Sequence, residues 1–231
     1  DYDDPETYKM LGQGDTEGVF QLESSGMKQV LVGLQPQNLE DVIALISLYR
    51  PGPMDSIPTY LRNRHEPDKI SYKTPQLAHI LDVTNGCIVY QEQVMQIFRE
   101  LAGFSFGQAD NVRRAMSKKK HAVMEAEREH FVHGCTEPGH ECPGCVANGI
   151  SEKVANEIYD EMSSFASYAF NKSHAACYAY VAFQTAYLKC HYPSEFMAAL
   201  LTSVLDNTDK VIEYSGECAR LGIKVLPPDV N

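Results

Sequence analysis

Apolar residues recur three and four positions apart along most of the chain, which is the spacing of one face of an α-helix. Three segments show this most clearly, with the apolar stripes Leu39–Val42–Ile43–Ile46, Val94–Met95–Phe98–Leu101 and Val154–Ile158–Met162–Phe165. Asn38 and Ser151 stand just ahead of the first and third stripes, where a polar side chain can cap a helix. We therefore predict a mainly α fold.

Strand signals are few and short. Val19–Leu22 is a short run of three apolar residues and Gln21, and Cys87–Tyr90 follows the turn signal Asn85–Gly86. We predict one short strand at each position, and hence at most a very small β element. Glu125–Phe131 is predicted to be a charged, exposed helix. Ser173 is predicted to cap a long alanine-rich helix that ends at Tyr192–Pro193.

The composition is that of an ordinary globular protein, with 44% hydrophobic and 22% charged residues among 231. No window approaches the ~18 uninterrupted apolar residues of a membrane span, so we expect no membrane partner. Four of the seven cysteines stand isolated in apolar or helical settings, which favours reduced thiols and a cytoplasmic location. The net charge of -11 implies that any binding of nucleic acid is local.

The segment Asn111–His121 is a basic island in this acidic chain. It contains the cations Arg113, Arg114, Lys118, Lys119 and Lys120. Val112 and Met116 are four residues apart and share one helical face, so the cations spread over the other faces and can meet a polyanion. Ser105 and Gln108 match a capping box that starts this helix. The alternative is a solvated charged face on which Asp110 pairs with Arg113 or Arg114.

Two further positions favour anions. Arg50 precedes Pro51–Gly52–Pro53, an irregular turn that would hold it at the end of a buried helix, although it could simply complement that helix's C-terminus. Lys172 and His174 stand at the start of the alanine-rich helix, where backbone N–H groups and the helix dipole favour phosphate oxygens. The alternative at this second position is a serine cap beside a core histidine and a surface lysine.

The most specific local motif is a cluster of cysteines and histidines. Cys142 and Cys145 form a C-x2-C knuckle, and Cys135 and His140 complete a Cys3His set for a structural Zn²⁺. Four protein ligands leave no open position for catalysis. His133 competes with His140 as the nitrogen ligand, and a disulfide or a free-thiol loop is the alternative.

Six stretches together resemble the fingers region of the bacterial DNA polymerase III α subunit, the C-family replicative polymerase. They occur in the family's order and are Gly18–Ser24, Leu48–Pro53, Val89–Met95, Arg113–Met116 with the lysines that follow, Phe170–Ala176 and His191–Ala198. The resemblance implies a multi-helix fingers domain over residues 1–205 and a helical connector over 206–231 that leads toward a helix-hairpin-helix region. An inserted zinc-knuckle-like loop at 133–148 departs from the family, so the metal assignment depends on ligand spacing alone.

The resemblance also implies roles and partners. Arg113 and Arg114 would contact the triphosphate of an incoming dNTP, with Lys172 and His174 nearby. Arg50 and the three lysines would contact primer-template DNA, and the partners would be the remaining domains of the α subunit and other replisome subunits.

The aspartates with which the family's palm holds Mg²⁺ have no counterpart here. We therefore expect Mg²⁺ to bind outside this fragment, no catalytic residue within it and no activity of the fragment alone. The alternative function is a non-catalytic, zinc-stapled helical module that binds nucleic acid or protein.

Overall fold

The computed structural model describes residues 2–118, 121–166 and 170–227. Thirteen α-helices occur within these ranges. Their bounds are α1 (Pro5–Gly12), α2 (Ser25–Leu34), α3 (Leu39–Leu48), α4 (Ile57–His65), α5 (Ala78–Leu81), α6 (Gln91–Ala102), α7 (Phe106–Ser117), α8 (His121–His133), α9 (Gly144–Ala147), α10 (Glu152–Ala166), α11 (Lys172–His191), α12 (Pro193–Ser203) and α13 (Thr208–Arg220). Four short 3-10 helices lie between α3 and α6.

The described residues contain no strand, only two isolated backbone bridges. Tyr90 pairs in parallel with Phe170, and Cys135 pairs antiparallel with Cys142. The prediction of a mainly α fold with at most a very small β element is therefore confirmed.

Neither predicted strand forms as such. Val19–Leu22 takes part in two turns. The Val19 N–H donates to the Thr16 carbonyl at 3.0 Å, and the Leu22 N–H donates to the Val19 carbonyl at 3.1 Å. These turns bury both Val19 and Leu22. In Cys87–Tyr90 only Tyr90 enters a bridge. Both strand predictions were wrong because turn bonds and one tertiary contact use the backbone groups that a strand would offer to a partner.

The chain divides into two compact units, one of residues 1–46 and 176–231 and one of residues 47–175. The chain passes between them within α3 and within α11. Residues 206–227 lie in the first unit, and the predicted boundary after residue 205 stays a prediction.

An aromatic cluster forms the centre of the core of the second unit. The Phe98 ring on α6 lies 5.0 Å from that of Phe131 on α8, 5.3 Å from that of Phe104 and 6.0 Å from that of Tyr159 on α10, between ring centroids. All four side chains are buried. The prediction of an exposed helix over Glu125–Phe131 was therefore wrong for Phe131, whose apolar ring gains more from the core than from solvent.

In the first unit, Ala179, Ala182 and Ala186 of α11 are fully buried. The predicted close approach of neighbouring helices to this run of small residues stays a prediction. The Tyr8 ring on α1 lies 5.1 Å from that of Phe183. At Gly18, where φ is +76°, a side chain would overlap Leu200 of α12, so this turn requires glycine.

Candidate functional site

Arg113 and Arg114 project from α7, whose opposite face is anchored in the core. Val112, Ala115 and Met116 are buried, so the adjacent arginines must point away from the core. The helix starts at the predicted capping box, in which the Ser105 hydroxyl accepts from the Gln108 N–H (3.3 Å) and the Gln108 side chain accepts from the Ser105 N–H (2.7 Å). That prediction is confirmed.

Arg113 is held by two neighbours. Its Nε and Nη2 donate to Asp110 Oδ1 at 3.0 and 2.7 Å, and its Nη1 donates to Gln91 Oε1 at 2.8 Å. Arg114 donates from Nε to the other oxygen of Asp110 at 2.8 Å. The side chain of Arg114 is 64% exposed, against 20% for Arg113. Arg113 is therefore an oriented group, whereas the outer part of Arg114 faces solvent.

The Tyr90–Phe170 bridge brings further cations to the same part of the second unit. Gln91, which receives Arg113, donates its N–H to the Phe170 carbonyl at 3.0 Å. The Lys172 ammonium lies 5.3 Å from the centre of the Tyr90 ring, and the Arg50 guanidinium lies 4.3 Å from that of Phe170. Both are cation–π distances.

His174 completes this group. Its ring lies 5.2 Å from the Phe170 ring, nearly perpendicular to it. Arg50, Lys172 and His174 therefore each contact a ring of the bridge pair, and Arg113 contacts Gln91, the residue after Tyr90. Arg114 is connected to this group through Asp110.

Asn171, rather than Ser173, caps α11. The Asn171 Oδ1 accepts from the His174 N–H at 3.0 Å, and the helix begins at Lys172. The prediction that Ser173 is the cap was wrong, because Asn is at least as good a cap and its position two residues earlier lets the helix gain another half turn. Glu92 contacts the same helix start, since its carboxylate accepts from Asn171 Nδ2 at 2.8 Å and from the Lys172 N–H at 3.2 Å.

A cavity of about 290 Å³ opens between these groups. It is lined by Gln91, Glu92, Met95, Phe106, Asp110, Arg113 and Asn171. The polar residues of this lining come from the consecutive helices α6 and α7 and from Asn171, the cap of α11, so segments distant in sequence contribute to one concave surface.

The predicted lysines after Arg114 do not line this cavity in the described part of the chain. Lys118 follows the last turn of α7 and is exposed. Lys119 and Lys120 lie outside the described residues, so their predicted phosphate contacts stay predictions. Gln91, Glu92 and Asp110 were not predicted as site residues. The i+3 and i+4 spacing of Asp110 to the two arginines indicated its contacts, whereas nothing in the sequence pairs Gln91 with Arg113.

The cysteine loop is closed by backbone contacts. Cys135 and Cys142 exchange two N–H···O bonds of 2.9 Å, and the Glu137 N–H lies 3.5 Å from the Cys135 sulfur. Gly134 and Gly144 have φ of +88° and +79°, and a side chain on either would overlap the opposite backbone. This tight crossing brings the two ends of the loop together.

The three cysteines of the proposed metal set form no disulfide. Burial raises the pKa of Cys145 to about 12, and burial also raises that of Cys142. Among the described residues, two groups of three potential ligands have donor atoms within 4.8 Å of one another, Glu6–Cys190–His191 and Asp15–Glu17–Glu217. The set Cys135, His140, Cys142 and Cys145 is not one of them, so zinc binding there would require the loop to tighten.

The described residues thus form a mainly α-helical domain that gathers cationic side chains at one bridge. A family model described as the bacterial DNA polymerase III alpha subunit finger domain matches residues 1–139. The chain belongs to this family.

Several curated proteins are similar over the full chain. DNA polymerase III subunit alpha of Thermus aquaticus is 51% identical over 234 residues, which cover 99% of this chain and 18% of that protein. The proteins of the same name from Bacillus subtilis (strain 168) and Staphylococcus aureus (strain N315) are 48% and 45% identical over 230 residues, covering 100% of this chain and 20% and 21% of theirs. The chain spans about a fifth of the length of these relatives. In the part of the chain that is described, no helix has the length and apolarity to cross a membrane.

Proposed function

We propose that this domain binds the triphosphate of an incoming dNTP and the backbone of primer-template DNA within a bacterial replicative DNA polymerase. Membership of the finger-domain family supports the assignment to DNA-directed DNA synthesis. Because the chain spans about a fifth of its relatives, the activity belongs to a larger protein in which this domain is one part.

One arrangement carries the proposal: Arg113 and Asn171, the cap of α11, line the same cavity of about 290 Å³. A triphosphate needs several positive groups at once, and Arg113, Arg114, Lys172 and His174 offer side chains of that chemistry from two helices. Arginine suits the task because its planar fork stays charged and pairs with phosphate through two hydrogen bonds. Phosphoryl transfer depends on such positioning and charge neutralisation more than on covalent chemistry.

The domain is proposed to be inactive alone. The two-metal chemistry of such a polymerase needs carboxylates that hold Mg²⁺ near the primer terminus. Those carboxylates are expected in another domain of the same protein. We assign no residue of this chain to the metal-dependent step, and the separately expressed domain should therefore incorporate no dNTP on primed DNA with Mg²⁺ present.

Arg113→Ala in the intact polymerase tests the nucleotide assignment. We expect the KM for dTTP on primed poly(dA) to rise, or kcat to fall, by about tenfold or more, which corresponds to about 1.4 kcal/mol of lost interaction. Arg113→Lys should recover only part of the loss, since it keeps the charge and loses the fork. Lys153→Ala is the matched control, because it removes a cation from the same unit at an 87% exposed side chain. Unchanged kinetics in Arg113→Ala would refute this role.

Contacts with DNA are tested separately. Arg50→Ala and Lys118→Ala should each weaken binding of primer-template DNA and reduce its salt dependence by about one unit of slope. The rival function, a non-catalytic module, predicts equal binding of any polyanion and no effect of nucleotide on the protection of α7 from protease. That pattern would favour the module over the polymerase domain.

We further propose that Cys135, His140, Cys142 and Cys145 hold a structural Zn²⁺ once the loop tightens. The backbone pairing of Cys135 with Cys142 and the N–H directed at the Cys135 sulfur support this, because both occur in knuckles that present thiolates to a metal. Elemental analysis should find one zinc per chain, lost in Cys142→Ser and kept in Cys177→Ser, which changes an exposed cysteine elsewhere. Zinc well below one per chain, together with reactive thiols at Cys142 and Cys145, would remove the metal from the proposal.

The partners follow from the polymerase assignment. We propose contacts with the other domains of the α subunit and with other replisome subunits, in the bacterial cytoplasm. The seven cysteines are free thiols, which supports a reducing compartment.

A further inference from the structure

The fork of Arg113 is already occupied by a carboxylate. A guanidinium has five N–H donors, and the edge formed by Nε and Nη2 is one of those that grip carboxylate or phosphate with two parallel bonds. Asp110 Oδ1 takes both donors of that edge, at 3.0 and 2.7 Å. A phosphate that binds this edge must therefore replace Asp110.

One carboxylate serves both arginines. Asp110 Oδ2 accepts from Arg114 Nε at 2.8 Å while Oδ1 accepts from Arg113. Hydrogen bonding by Arg113 lowers the pKa of Asp110, so the carboxylate is ionised at neutral pH. The local charge of this trio is +1 instead of +2, and the attraction for a triphosphate is reduced accordingly.

The other predicted phosphate position shows the same pattern. Glu92 accepts from the side chain of Asn171 and from the backbone N–H of Lys172 at the start of α11. Glu92 and Asp110 both line the cavity that Arg113 and Asn171 share. The carboxylates of Asp110 and Glu92 thus accept hydrogen bonds from groups that we propose as donors to the triphosphate.

The contact with Gln91 shows that Arg113 would stay in place if a phosphate replaced Asp110. Gln91 Oε1 is a neutral acceptor for Arg113 Nη1 at 2.8 Å, on the other side of the guanidinium from Asp110. Gln91 is itself fixed by its backbone bond to Phe170 at 3.0 Å. Arg113 can therefore keep its position through Gln91 while Asp110 moves away.

We infer that Asp110 is an internal anion which the triphosphate displaces from Arg113 and Arg114, so that Asp110 sets the affinity for nucleotide by competition. The inference builds on the proposed function. Asp110 is a residue that acts through the arginines, not a catalytic one. Its removal should strengthen nucleotide binding, whereas the loss of an orienting residue would weaken it.

Asp110→Asn in the intact polymerase tests this, because it removes the charge and nearly preserves the shape. We expect the KM for dTTP on primed poly(dA) to fall by about three- to tenfold, the effect of removing two partly exposed ion pairs. Steeper salt dependence of dTTP binding should accompany the fall, since the uncovered charge is +2. Asp160→Asn is the matched control. It removes a carboxylate on α10 that lies 2.6 Å from the guanidinium of Arg128 on α8, and the KM should stay unchanged.

A double-mutant cycle separates this inference from the assignment on which it rests. In the Arg113→Ala background, Asp110→Asn should lower the KM less than it does in the wild type, because only Arg114 remains to be uncovered. A KM that rises or stays level in Asp110→Asn, while Arg113→Ala still raises it, overturns the competition and makes Asp110 an orienting residue. If Arg113→Ala itself has no effect, the proposed nucleotide site fails whatever Asp110 does. Melting temperatures of all variants, compared with the wild type, show whether each one folds.

Discussion

The ammonium group of Lys189 lies 2.7 Å from the carboxylate of Glu217, in an ion pair with 1% and 4% exposed side chains. Lys189 also donates to Asp15 at 2.8 Å and to the Glu17 carbonyl at 3.1 Å. This arrangement connects α11, α13 and the loop after α1 within the first unit. A buried charge is tolerated there because each donor of the ammonium has an acceptor.

Lys189→Met should destabilise the protein by about 1–3 kcal/mol, because Glu217 and Asp15 lose a buried donor while Arg220 still donates to both carboxylates. Urea unfolding followed by circular dichroism measures this. The double variant Lys189→Met/Glu217→Gln should recover part of the loss, since the buried carboxylate that lost the ammonium is then a neutral amide. Lys153→Met, at an 87% exposed lysine, should change stability by less than about 0.5 kcal/mol. A similarly small effect of Lys189→Met would show that water reaches this pair.

Phe98→Ala should cost about 3–5 kcal/mol, since it removes the ring that contacts Phe104, Phe131 and Tyr159. The comparison is Val83→Ala, at an exposed apolar residue of the same unit, which should stay within about 0.5 kcal/mol. Thermal and urea unfolding would give both values. Equal effects of the two substitutions would contradict the placement of Phe98 at the centre of the core.

Gly144→Ala should be more damaging than Gly149→Ala. Both glycines have positive φ, +79° and +83°, so alanine strains the backbone at either position by about 1–2 kcal/mol. Only at Gly144 would the new Cβ also overlap the backbone of Gly134, whereas at Gly149 it meets nothing within 4 Å. The difference in unfolding free energy between the two variants therefore measures the close crossing of the cysteine loop. Equal losses would mean that the loop opens readily.

Asp4 should contribute a pH-dependent part of the stability of the first unit. The hydrogen bond from His191 at 2.8 Å, aided by Thr7, lowers the pKa of Asp4 from 3.8 to about 2. Because the folded pKa lies below the unfolded one, the stabilisation is complete above about pH 4 and is lost as the pH falls from about 4 to about 2. Asp4→Asn should therefore differ most from the wild type at pH 5, and the gap in urea midpoints should shrink on acidification. Asp3→Asn, at an exposed neighbour, is the control, and a gap that is constant with pH would contradict the coupling.

The sequence predicted those features of the fold that depend on neighbours along the chain. The capping box of Ser105 and Gln108 and the cap at Asn38, whose Oδ1 accepts from the Asp41 N–H at 3.0 Å, formed as expected. Such caps need only residues within one turn, so their spacing carries the information. At the start of α11 the prediction of Ser173 as the cap was wrong, because Asn171 caps the helix and also contacts Glu92, which is distant in sequence.

The candidate site shows the same division. The cationic residue types at Arg113, Arg114, Lys172 and His174 were evident from the sequence, and so was the partnership of Asp110 with the arginines. The contacts of Gln91 with Arg113, of Arg50 with Phe170 and of Glu92 with Lys172 were not, because they join residues 22 to 120 positions apart. Local sequence patterns carry no information about contacts between such distant residues.

By itself, then, the sequence determined the helical class, most helix starts and the basic character of α7, since each depends on residue type and short-range spacing. Its resemblance to known motifs along the whole chain indicated the family. Tertiary structure alone decided that the cations meet at the Tyr90–Phe170 bridge, that carboxylates already contact their donors and that Lys189 is buried with its partners. The physical reason is that these features arise when separate helices bury their apolar faces together, and the packing of those faces fixes which polar groups become neighbours.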